Sequence, residues 1–176
     1  MNDATLPIES IHIPIDDMML YGQDLLQLVY TYVKDEALAQ DLTQEIFVKC
    51  YEAYPTYKRK STLRTWMWRI AINHCKDYLK SWYNQNIQVA VDAGVDEQSS
   101  SNVEQQVIQQ DDQERLAKTV MQLPIIYREV IYLFYFEDYT SKEIAVLLST
   151  NENTVKTRLR KAKQLLKEQL EVSEWI

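Results

Sequence analysis

From Asn153 to Lys161 the chain reads Asn-Thr-Val-Lys-Thr-Arg-Leu-Arg-Lys. Apart from Val155 and Leu159, every residue in it carries a polar or cationic group. Read as a helix, the stretch turns Val155, Leu159 and Ala162 inward. Asn153, Thr154, Lys156, Thr157, Arg158, Arg160 and Lys161 are left on the outward face. Arginine and lysine reach guanine edges and phosphates in a DNA major groove, and a threonine methyl can meet a thymine methyl. An amphipathic helix with solvated charges is the commoner outcome of such periodicity. What precedes the stretch favours DNA. Thr140-Ser141-Lys142-Glu143 has the form of a capping box that starts a short helix over 141–148. Ser149–Asn153 supplies a turn, and Ala145 is small where two crossing helices of a helix-turn-helix approach.

A second stretch offers different chemistry. Lys58 to Lys80 holds seven Lys/Arg and one acid, with Trp66, Trp68 and Tyr78 interleaved and Trp82 and Tyr83 just beyond. Rings among cations suit unpaired nucleic acid, because bases stack on the rings for about 1–3 kcal/mol each while the cations hold the backbone. Trp66 shares a stripe with Ile70 and is as well explained as core; Trp68 and Arg64 fall off that stripe. Lys58–Lys80 carries +6 and Asn153–Glu168 carries +5 in a chain of net charge −7, so the remainder carries −18. An acidic protein with two cationic islands is suited to gripping a polyanion at two places.

The elements that must position these residues are all helical. Gly occurs twice and Pro four times in 176 residues, which suits an all-α fold and leaves little material for hairpins. Leu25, Leu28, Val29 and Tyr32 keep a 3.6-residue beat, as do Leu38, Leu42 and Ile46, with a stop before Pro55. After a polar loop over 56–61, Leu63, Trp66, Met67, Ile70, Ala71, His74 and Tyr78 trace a third helix, with Ser61 or Thr62 as its N-cap. Residues 84–112 hold six acids and no Lys or Arg, and read as an extended or disordered linker. Helical signal resumes with Leu116, Val120 and Leu123, and Pro124 opens Ile125 to Phe136. The expected plan is a loose arm over 1–19, a helical domain over 20–83, the acidic linker over 84–112 and a helix-turn-helix domain over 113–176.

Several classes are disfavoured. Cys50 and Cys75 stand in no metal-ligand spacing, so neither a metal, a cofactor nor a disulfide framework is expected. No Gly-rich phosphate loop, Ser/His/Asp set or HExxH is present, and His74-Cys75 are adjacent on a helix and face apart, so no enzymatic role is expected. No apolar run approaches the roughly 18–20 residues of a membrane span. The N-terminus lacks the pattern of a signal peptide. A cytoplasmic location without membrane insertion is expected.

At this point a family resemblance enters. Glu143-Ile144-Ala145 with Leu148, and Thr154-Val155-Lys156-Thr157-Arg158-Leu159, resemble the helix-turn-helix of bacterial sigma factors of the extracytoplasmic-function (ECF) group, in the sigma-70 family. Leu123-Pro124 with Tyr127-Arg128-Glu129-Val130 is similar to that family's lead-in. Ser149 departs from the glycine common in the family's turn, and a positive φ there would strain a serine. Ser61 to Asn73 with Asp77 resembles the family's helix for the −10 element, and Asp41-Leu42-Thr43-Gln44-Glu45-Ile46-Phe47 its stretch that docks on the polymerase's largest subunit.

The resemblance implies a transcription initiation factor that binds core RNA polymerase and directs it to promoter DNA. The second islet of charge, over Asn153, Thr154, Lys156, Thr157, Arg158, Arg160 and Lys161, would read the −35 element as duplex. Tyr57, Lys58, Arg59, Lys60 and Ser61 would rim a pocket for a flipped base of the −10 element, with Arg64, Trp68, Arg69, Asn73, Lys76 and Lys80 along the opened strand. Asp41, Gln44, Glu45 and Phe47 would meet core polymerase, Phe47 as the apolar anchor, and Asp77 would pair with a cation one helical turn away. By the same resemblance the linker threads the polymerase, where its acids would mimic nucleic acid, and an anti-sigma factor is a further partner. Two other readings remain at this stage. A helix-turn-helix regulator that is no polymerase subunit explains the C-terminal half alone, and a helical interaction protein would meet an acidic partner through its basic helices.

Overall fold

The computed structural model describes residues 14–93 and 112–173, and the described residues form helices with no strand among them. The N-terminal half is built of α1 (Ile15–Met19), α2 (Gly22–Val33), α3 (Glu36–Ala53) and α4 (Leu63–Ala93). A 3-10 turn, Tyr54–Thr56, follows α3 at Pro55. The C-terminal half comprises α5 (Asp112–Gln122), α6 (Ile125–Ile131), a π turn over Tyr132–Phe136, α7 (Ser141–Leu147) and α8 (Glu152–Ser173).

Local chemistry sets most boundaries. Lys34 ends α2 in the left-handed region with φ 58°, and the Asp35 carboxylate accepts from the Leu38 amide at 2.7 Å to start α3. The Thr62 hydroxyl accepts from the Thr65 amide at 3.2 Å, which makes Thr62 the cap of α4. The capping box of Thr140 and Glu143 forms in both directions, and the Asn151 side chain accepts from the Thr154 amide at 2.8 Å to open α8. Between α7 and α8, Ser149 adopts φ 52°, the left-handed conformation that serine in place of the common glycine foreshadows.

The core of the first half joins Leu25, Leu28 and Val29 of α2, Ala39, Leu42, Ile46 and Cys50 of α3, and Met67, Ala71 and Cys75 of α4. In the second half Val130, Leu133, Ile144, Leu147, Val155 and Ala162 are fully enclosed, with Ala145 buried between α7 and α8. The two halves also touch each other, α2 against α6 and α4 against α7.

Three expectations change. The arm expected over 1–19 is helical in its last part, because Met18 of α1 reaches the core; residues 1–13 lie outside the described residues. The linker expected from 84 begins later, since α4 continues to Ala93; its residues 94–111 lie outside the described residues. At about 1.5 Å per residue, the 31 residues of α4 extend about 46 Å. The stripe on α4 is also rotated. Met67, Trp68, Ala71, Ile72 and Cys75 are buried, whereas Leu63, Trp66, Ile70 and Tyr78 only flank them.

Candidate nucleic-acid interface

On α8 the residue pattern translates directly into a surface. Asn153, Lys156, Thr157, Arg160 and Lys161 are exposed, and Thr154 is half-buried beside them. Lys156 pairs with Glu152 one turn before it at 2.7 Å, an exposed pair of little strength that phosphate can displace. Arg158 departs from the expected outward face. Its Nη1 lies 3.4 Å from Glu129 Oε1, and Glu129 is 2% exposed.

On α4, Arg69, Asn73, Lys76 and Lys80 recur at intervals of four, three and four residues, which places them on one face. Arg69, Asn73 and Lys80 are exposed. Asp77 is exposed too, and among the described residues it makes no ion pair. In the preceding loop Lys58, Arg59 and Lys60 are exposed, Arg59 with φ 53°. The loop stands on an aromatic cluster. The Tyr57 ring lies 5.0 Å from Trp66 and 5.8 Å from Tyr54, and the Tyr57 hydroxyl donates to the Ser61 carbonyl, closing the loop.

The tryptophans exchange their expected places. Trp68 is 0% exposed. Its indole N–H donates to Glu137 Oε2 at 2.9 Å, and the ring meets Tyr21 edge-on at 5.9 Å. Trp66 is half-buried in the loop's aromatic cluster instead. The physical reason is the second half of the molecule, which covers the side of α4 that a lone helical module would leave open. Arg64 stands on this same side, four residues before Trp68. It pairs with Glu137, lies over the Trp68 ring at 4.9 Å and over the Tyr139 ring at 5.3 Å. Burial outweighs the attraction of Arg64 and holds the Glu137 carboxyl above its ordinary range.

Glu129 makes a matching junction farther along. Its Oε2 accepts from the Tyr32 hydroxyl at 2.9 Å and from Lys76 Nζ at 2.9 Å. Burial first, and the Glu129 carboxylate second, push the Tyr32 phenol well above its ordinary value. Glu129 and Glu137 are the acids at the candidate interface that pattern reasoning missed. Their one signal is an acid set inside or beside the apolar run from Ile125 to Phe136, where a carboxylate needs a partner from elsewhere.

The candidate polymerase face lies on α3. Asp41, Gln44 and Glu45 are exposed, and Glu45 meets His74 Nε2 at 2.8 Å. Phe47, the expected anchor, is half-buried against the core. Val48 and Tyr51, at 56% and 49% exposure, are the apolar groups that continue the exposed face. Their spacing from Gln44, four and seven residues, was the available signal. A separate apolar groove of about 460 Å³ lies between α5, the π turn and α8, lined by Leu116, Tyr135, Phe136, Leu166 and Leu170 among others.

Cys50 and Cys75 are free and buried, and burial pushes each thiol up to about 12. No group of metal-ligating side chains occurs among the described residues. No helix among them is long and apolar enough to cross a membrane.

Comparison with known proteins agrees with the geometry. The family described as sigma-70 region 2 matches residues 18–83, and that described as sigma-70, region 4 matches residues 113–166. RNA polymerase sigma factor SigV of Bacillus subtilis is 33% identical over 150 residues, covering 85% of this chain and 86% of its own. ECF RNA polymerase sigma factor SigX of the same organism is 29% identical, with 85% and 83% covered. Among solved structures, the sigma factor RpoE of Bartonella quintana, in complex with the anti-sigma factor NepR, superposes with a TM-score of 0.69. It is 22% identical and covers 89% of this chain and 96% of its own. CnrH, in complex with the cytosolic domain of CnrY, gives 0.63 at 21% identity, covering 90% and 88%. The regulator reading, which leaves the first half unexplained, is not favoured. With both of its halves matched and a relative one-third identical along most of its length, the chain belongs to the sigma-70 family of RNA polymerase sigma factors, in the extracytoplasmic-function group.

Proposed function

We propose that the chain is a transcription initiation factor that binds core RNA polymerase through α3, holds the opened −10 element on α4 and its preceding loop, and reads the −35 element as duplex with α8. The observation that carries this reading is the pair of exposed cationic faces, one in each family-matched half. Asn153, Thr154, Lys156, Thr157, Arg160 and Lys161 contact the −35 groove, and Arg158 joins them when released from Glu129. Arg69, Asn73, Lys76 and Lys80 follow the −10 strand, with Arg64 and Trp68 added once Glu137 withdraws. Lys58, Arg59, Lys60 and Ser61 rim a pocket whose aromatic floor is Tyr57 with Trp66, a surface on which an extruded base can stack.

On the polymerase side, Asp41, Gln44 and Glu45 supply hydrogen bonds around Val48 and Tyr51, with Phe47 supporting them from behind. The acids between α4 and α5, Asp96, Glu97, Glu104 and Asp111, occupy a cationic channel of the polymerase. Both similar solved structures are complexes, one of them with an anti-sigma factor, which supports an inhibitory protein partner for this chain and action in the cytoplasm. The chain itself performs no chemistry and needs no cofactor in this reading.

Run-off transcription with core polymerase over a promoter library tests the proposal. Specific transcripts that require both the chain and a two-element promoter are expected. Tight, specific promoter binding by the chain without polymerase would count against it, since the −18 remainder repels DNA.

A further inference from the structure

Both cationic islands converge on carboxylates of the C-terminal half. Glu129 takes Lys76 from the first island and Arg158 from the second, through its two oxygens, and adds the Tyr32 hydroxyl. Glu137 takes Arg64 through its carboxylate and its backbone carbonyl, and takes the Trp68 indole N–H. Both acids are almost wholly buried, at 2% and 6% exposure. A carboxylate offers guanidinium and ammonium groups the same paired anionic oxygens that a phosphate offers.

We propose that Glu129 and Glu137 form an electrostatic latch that stands in for nucleic-acid phosphate on Arg64 and Lys76, and so closes the free chain in a form that cannot bind promoter DNA. This rests on the reading that those cations contact the promoter. In the closed form α4 lies against α7, and Trp68 has no exposed surface for a base. Opening the halves transfers Arg64 and Lys76 from carboxylates of the second half to DNA, so the latch and the promoter compete for the same groups. The competition is intrinsic to the chain and requires no inhibitory partner. It also gives polymerase a second task beyond joining the two DNA contacts, since docking must separate the halves before the contact along α4 is complete.

The test uses the full chain with fluorophores on cysteines introduced at exposed Glu52 and Gln169; Cys50 and Cys75 are buried and poorly reactive. In E129Q/E137Q, energy transfer between the halves falls relative to wild type. Affinity of the free variant for a single-stranded −10 oligonucleotide rises by about tenfold or more, the scale of one released charge-assisted hydrogen bond. Y32F, which leaves every charge in place, lowers energy transfer by a smaller amount and serves if the double variant loses its helical melting transition. Unchanged energy transfer in the folded variants overturns the latch. So does lowered transfer with unchanged oligonucleotide affinity. Run-off transcription by wild type with core polymerase is measured alongside: its absence sinks the promoter reading itself, whereas its presence with an unchanged inter-half distance sinks the latch alone.

Discussion

The helices α4 and α8 are both cationic, both long, and both start from a well-formed cap, yet they meet the rest of the chain differently. On α8 the residues proposed to face DNA stand in solvent, except Arg158 and the half-buried Thr154. On α4 the face divides. Arg69, Asn73 and Lys80 are exposed, while Arg64, Trp68 and Lys76 are engaged by acids 53 to 73 residues away in sequence. A groove-reading helix can be complete within its own small module. The proposed surface for single-stranded DNA has hidden parts here, because its aromatic and cationic groups also serve as the internal contact of the closed chain.

The most damaging way to break the comparison is charge reversal on the side that is already exposed. K156E/R160E on α8 is expected to abolish promoter-dependent run-off, by about 100-fold or more, at a base and phosphate cost of about 1–3 kcal/mol per contact. Thermal melting should remain within about 1 °C per substitution, since exposed charges contribute little to stability. Next in size are the tryptophans, which sharpen the contrast within α4. Trp68→Phe leaves Glu137 short of a donor, and a loss of about 1–3 kcal/mol in unfolding free energy is expected by denaturant titration. Trp66→Ala should instead weaken binding of a −10 oligonucleotide in the polymerase complex by about 1–3 kcal/mol, the worth of one stacked base. If the two substitutions act alike, the exchange of roles between Trp66 and Trp68 is wrong.

Smaller effects concern the turn and cap that aim α8. Ser149→Gly relieves a left-handed residue at φ 52° and is expected to raise stability by up to about 1 kcal/mol, the left-handed penalty being partly offset by the freer unfolded chain. Smallest is a pH effect. Hydrogen bonds from the Thr140 hydroxyl and amide hold the Glu143 carboxyl below its ordinary value of 4.5. Its stabilisation is therefore fully present above that value and is lost as pH falls through the depressed folded-state value. Glu143→Gln should flatten this part of the acid limb in a melting-temperature series and leave the neutral region nearly unchanged.

Which of these features could be read from the sequence follows from how local their causes are. The Thr140–Glu143 box, the cap at Thr62, the stop at Pro55 and the strained turn at Ser149 depend on a few neighbouring residues, and the structure has all of them. The outward face of α8 followed from period alone, except that Arg158 turns toward an acid 29 residues earlier. Trp68 was misplaced because its burial is decided by Glu137, which no helical period on α4 can reveal. The extension of α4 to Ala93 was hidden for another reason. A helix already nucleated by a packed first half propagates cheaply through polar residues, so residues 84–93 need no apolar stripe to stay helical. The exposure of Val48 and Tyr51 beside a half-buried Phe47 depends on how α3 packs, which the family motif alone does not reveal.

Eighteen residues separate Ala93 from Asp112, and that short tether has a thermodynamic consequence. Joined by a tether of this order, the halves meet at a local concentration on the order of millimolar, whatever the amount of protein in solution. Contacts far too weak to pair two separate molecules at micromolar dilution are then strong enough to keep one molecule folded upon itself. Dilution cannot release them. Proteolytic scission of the tether can, and it would turn a reversible intramolecular closure into a bimolecular encounter that rarely occurs.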